Sequence, residues 1–142
     1  MKKDGLSETY IYNQYYVDKF PNEIYSECNK AARMGNLKLL KNLRAMTWPW
    51  NEETFTEAAR SGNLKMLIWM KSEGCPWNKK TTECAAEIGN LKILEYLISE
   101  GCPWDVMVAQ KAVINGHLEI LKFIHKKCSL LLLNVDLINL AS

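Results

Sequence analysis

The side chains of this 142-residue chain best suited to nucleophilic or metal chemistry are Cys28, Cys75, Cys84, Cys102, Cys128, His117 and His125. A zinc site needs ligands at close spacing, such as paired CxxC steps, and no such step occurs. His117 and His125 would lie roughly 80° apart round a helix, and no cysteine or carboxylate cluster completes a ligand set around them. A catalytic thiol needs a base within reach, and none is spaced to serve Cys75 or Cys102. The chain has no Walker loop, no GxSxG and no HExxH. These residue types point away from an enzyme, a cofactor and a metal. Five thiols in all give no disulfide framework, which fits a reducing compartment.

The remaining candidates are groups that bind rather than react. Trp50, Trp77 and Trp104 recur at one interval, as do Lys38, Lys65 and Lys92. Tryptophan is favoured where a partner is gripped, although each ring would serve equally to cover the next structural unit. The lysines read as a solvated face or, less simply, as an anion-binding stripe broken by Glu119.

What must position these groups is a repeat. Gly35, Gly62, Gly89 and Gly116 stand 27 residues apart and open the phrases GNLK, GNLK, GNLK and GHLE. Ala31, Ala58, Ala85 and Ala112 keep the same interval, as do Pro49, Pro76 and Pro103. A period of this length marks a stacked array, because one unit cannot bury its apolar face alone.

Each unit reads as two helices. In residues 51–74, Asn51 is an N-cap candidate, and Glu52 and Glu53 suit the positive end of the helix dipole. The alanine pair lets a neighbouring helix approach. Gly62 ends the first helix in the left-handed conformation. The second helix runs from about Leu64 to Glu73, and Gly74 with Pro76 stops it. Its apolar columns, such as Leu40/Leu67/Leu94/Leu121, form a stripe at helical period. No segment alternates like a strand, so the expected fold is all-α, a repeat solenoid of helical hairpins. Repeats occupy 22–128 of a single 1–142 domain. Residues 1–21, with Ser7 as a cap and Tyr12, Tyr16 and Phe20 along one face, are expected to cover the first repeat. Residues 129–142, which open with Leu130 to Leu133 after a short polar step, form either a C-terminal cap helix or an apolar end that self-associates.

Residues 58–84 carry five basic and two acidic groups, net +3, whereas residues 85–111 carry two basic and four acidic, net −2. Alternating charge argues against nucleic acid as the main ligand. No signal peptide or membrane-spanning run is evident, so an intracellular chain, cytoplasmic or nuclear, is expected.

The pattern AA-x-x-G-[NH]-L-x-x-L, with a second glycine 12 residues on at Gly74 and Gly101, resembles the ankyrin repeat. The standard unit is about 33 residues. The shortfall falls where ankyrins carry a β-turn finger, which GCPWN or GCPWD replaces, and ETFT, KTTE and MVAQ stand where TPLH is usual. The form is similar to the short ankyrin-like repeats of large DNA viruses, amoebae and oomycetes. The resemblance implies protein–protein binding, with a host protein as partner if the source is a virus or parasite. It places contacts near the positions after the alanine pair, which vary inside a constant frame: Arg33, Met34, Arg60, Ser61, Glu87 and Ile88. These, with Trp50, Trp77 and Trp104, form the expected partner surface of a monomer or of a homodimer joined through its apolar end.

Overall fold

The computed structural model describes residues 23–141. The expected N-terminal cap at 1–21 lies outside these residues. All regular structure described is helical: α1 Ser26–Arg33, α2 Leu37–Ala45, α3 Glu52–Ser61, α4 Leu64–Ser72, α5 Lys79–Ile88, α6 Leu91–Ser99, α7 Val106–Ile114 and α8 Leu118–Ala141. Two compact units meet within α5, one ending at Thr81 and the other starting at Thr82.

In the first unit α1 packs on α2 and on α3, and α3 packs on α4. The small faces allow this. Ala31, Ala32, Ala58 and Ala59 are wholly buried, so first helices approach closely, while Leu40, Leu43, Phe55, Met66, Leu67 and Met70 fill the rest of the core. The second unit repeats the scheme with Ala85, Ala86, Ile93, Leu94, Leu97, Ala112, Ile120 and Ile124, and α7 packs on α8. Most of the apolar stripe expected of the second helices is thus buried; Leu37, Leu64, Leu91 and Leu121 are half-buried, and Leu39 and Leu118 at its edges stay exposed. Helix α8 runs unbroken for 24 residues. Residues 130–141 continue the last second helix.

Caps fix the helix ends. Asn51 accepts from the backbone N–H groups of Glu53 and Thr54, and the Thr54 hydroxyl accepts from the Asn51 N–H, closing a capping box. Asp105 accepts from the Met107 N–H at 2.9 Å. The asparagine after three of the four column glycines caps the following helix: Asn36, Asn63 and Asn90 accept from the N–H groups of Leu39, Met66 and Ile93. Each such cap satisfies a donor that the helix start leaves orphaned.

The carboxyl ends of α1, α2 and α4 to α7 are Schellman turns. In α4 the Gly74 N–H donates to the Lys71 carbonyl and the Cys75 N–H to the Met70 carbonyl. The same pair of bonds closes α2, from Thr47 to Arg44 and from Trp48 to Leu43. Position 47 lies 27 residues before Gly74, so a threonine occupies a glycine column. Its φ is 68°, and it is the single non-glycine residue with positive φ among the described residues. A left-handed conformation costs an L-residue roughly 1–2 kcal/mol, more so when it is β-branched. Glycine gives back part of that relief as unfolded-state entropy. Thr47→Gly is therefore expected to stabilise the chain by about 0.5–1 kcal/mol, read as a raised urea midpoint at unchanged slope; a lowered midpoint would mean the threonine contributes more than its strain.

Candidate functional site

In the first unit the variable edge of the first helices holds Arg33, Met34, Arg60 and Ser61. The two arginines converge on one carboxylate. Arg33 Nε donates to Glu57 Oε2 at 2.7 Å, and Arg60 Nε lies 3.8 Å from the same oxygen. Glu57 is only 7% exposed. The hydrogen bond from Arg33 to this carboxylate, and then its charge, push the Arg33 guanidinium above its usual range. Ser61 Oγ donates to the Ala58 carbonyl and accepts from the Asn63 N–H, so it shapes the turn. Met34 stands 69% exposed.

In the second unit Glu87 carries the opposite sign in the arginine column and pairs with Lys111 at 3.9 Å. Lys111 in turn sits in the Glu57 column. The same rung thus recurs with its charges inverted, Arg33–Glu57 in one unit and Glu87–Lys111 in the other. Beside it Ile88 is 36% exposed. Arg33 and Glu87 are therefore engaged in joining one repeat to the next and Arg60 in an ion pair within α3, while Met34 and Ile88 are the apolar ones left to solvent.

The Asn/His column also joins repeats. Asn63 Nδ2 donates to the Gly35 carbonyl at 3.0 Å. In the second unit the His117 ring takes the same place, its Nε2 lying 2.9 Å from the Glu87 carbonyl.

The tryptophans of the turns are half-buried. Trp77 packs edge-on against the buried Phe55, ring centroids 5.3 Å apart, and Lys71 Nζ lies 3.9 Å above its face. Trp50 meets Trp69 edge-on at 5.6 Å, and the Arg44 guanidinium lies 4.2 Å above Trp50. Packing between repeats thus accounts for much of these two rings. Around Trp50, however, an open cleft of about 290 Å³ is lined by Lys41, Arg44, Ala45, Trp50, Trp69 and Glu73. Sequence reasoning passed over Lys41, Arg44, Trp69 and Glu73. One signal was available: a cation stands six residues before the turn tryptophan twice, as Arg44–Trp50 and Lys71–Trp77.

All five cysteines are free thiols. Cys28 Sγ donates to the Trp48 carbonyl and Cys75 Sγ to the Asn51 carbonyl, each at 3.7 Å, so the two thiols bracket the Pro49–Trp50 turn. Burial pushes Cys28 up to about 11, and it raises Cys75 further. Both stay protonated at neutral pH and act as small apolar fillers. Among the described residues no group of three His, Cys, Asp or Glu is placed to hold a metal ion, and no helix is long and apolar enough to cross a membrane. No protein-family model matches the chain, and no curated protein matches it.

Proposed function

We propose that the chain is a non-enzymatic protein-recognition module, a short ankyrin-like solenoid that displays variable residues on a constant frame. The observation that carries this reading is the exposure of Met34 beside fully buried Ala31 and Ala32. The frame columns are used for packing, and the position next to them is free to differ. Methionine is enriched at protein interfaces, and Ile88 offers a similar apolar group in the second unit. The partner is an intracellular protein, a host protein if the source is viral or parasitic. Affinity capture of the tagged chain from host lysate, washed at low and high salt, tests this. A discrete protein should survive the high-salt wash and be lost with Met34→Asp combined with Ile88→Asp. Retention by that variant would remove this edge from the reading. Nucleic acid released by salt would instead favour the exposed ladder Lys38, Lys65 and Lys92.

A second reading rests on a separate observation. Val113 is 62% exposed and Ile114 76% exposed, although the column of Val113 is fully buried as Ala32, Ala59 and Ala86. A second copy covering that surface would give self-association, seen as a molecular mass that grows with concentration.

A further inference from the structure

We infer that the Trp50 cleft is a receptor for an acidic side chain carried on an extended segment of the partner protein. This rests on the protein-recognition reading and names the chemistry one of its contacts would take.

The cleft combines three features. Its floor is aromatic, with Trp50 and Trp69 edge to face. Its cations are held over those rings: Arg44 over Trp50, and Lys41 Nζ 5.6 Å from the Trp69 centroid. Arg44 is fixed further by donating from Nη1 to the Trp48 carbonyl at 2.5 Å, at the close of the strained turn through Thr47. A cation so placed has lost much of its freedom before a ligand arrives, which lowers the entropy that binding must overcome.

The charges remain open to a ligand. Among the described residues neither Lys41 nor Glu73 forms an ion pair. Two cations and one carboxylate leave the cleft with an excess positive charge, complementary to one anionic group. Glu73 decides what else the ligand must carry, because a carboxylate accepts hydrogen bonds and donates none. An aspartate or glutamate within a peptide supplies both requirements: its carboxylate meets Lys41 and Arg44, and a backbone N–H meets Glu73. A phosphodiester chain lacks that backbone donor and brings successive anions against Glu73. The volume holds one or two side chains.

The test titrates the full chain with a short capped peptide alternating glutamate and leucine and with its glutamine counterpart, followed by tryptophan emission. The glutamate peptide should bind about tenfold more tightly. Lys41→Glu, an exposed change checked by an unaltered Tm, should abolish the difference, and Met34→Asp should leave it intact. Equal binding of the two peptides, or an unaffected Lys41→Glu variant, would overturn the inference. Tighter binding of octathymidylate, lost in Lys41→Glu, would overturn it in favour of nucleic acid. Failure here alongside a captured protein partner would remove only this cleft. Peptide binding without any captured protein would instead count against the Met34 edge.

Discussion

Gly89→Val is expected to destabilise the chain by about 3 kcal/mol, from a left-handed backbone and a broken hydrogen bond together. Gly89 closes α5 at φ 79°. A β-branched residue there is strained by roughly 1–2 kcal/mol or more. Space makes matters worse. A Cβ at this position would lie 2.5 Å from both Cε1 and Nδ1 of His117. The ring cannot retreat freely, because its Nε2 is engaged with the Glu87 carbonyl at 2.9 Å. Valine therefore has to displace the imidazole and leave that carbonyl without this partner, a loss of about 0.5–1.5 kcal/mol. Gly101 provides the control. Its φ is 87°, yet nothing lies within 4 Å of an added Cβ, so Gly101→Val should show the backbone term alone. Urea midpoints of the two variants separate the terms. Equal losses would mean that His117 does not press on Gly89. With His117→Ala as the background, the excess cost at Gly89 should shrink toward that at Gly101.

Much of this was legible in the sequence because it is periodic. The 27-residue glycine column announced the left-handed helix ends, and Asn51 announced a helix N-cap. The alanine pairs marked where first helices touch, and they are buried. What escaped lies in departures from the period. Thr47 takes a glycine's conformation because the Schellman bonds of α2 are made by backbone groups, which any residue supplies once its strain is met. The Lys41–Arg44–Trp50–Trp69 cleft draws on the second helix of one repeat, its turn and the second helix of the next. No single column contains it. Arg33 and Glu87 vary inside the constant frame, which on sequence alone suits a partner surface. Their variation is also correlated with Glu57 and Lys111, 24 positions on, an interval that the repeat does not display. A side chain five residues before the next repeat's glycine, as Glu57 before Gly62 and Lys111 before Gly116, is invisible to a search for identity at 27, although charge compensation across two columns would reveal it.

That compensation leads to the second large effect. Glu57→Arg is expected to cost about 2 kcal/mol, below the 3–5 typical of breaking a fully buried pair because solvent reaches this one. The Glu57 carboxylate sits between Arg33 and Arg60. Replacing it with a guanidinium brings three cations together and leaves no acceptor. Arg33→Glu alone should also destabilise, since it sets a second carboxylate against Glu57. The double exchange, Arg33→Glu with Glu57→Arg, should recover more than half of the combined loss, because it reproduces the order of charges that Glu87 and Lys111 already use. Recovery stays incomplete, since Arg60 still faces a cation one helical turn away. Urea unfolding of the four proteins closes a double-mutant cycle, and its interaction term isolates the pair. A favourable term that weakens in high salt would identify a charge rung that sets repeats in register. An interaction term near zero would mean that the buried alanine faces and the Thr54–Asn29 hydrogen bond hold α1 against α3 without help from this pair. In that case the arginines, relieved of a structural role, would return to the surface available for a partner.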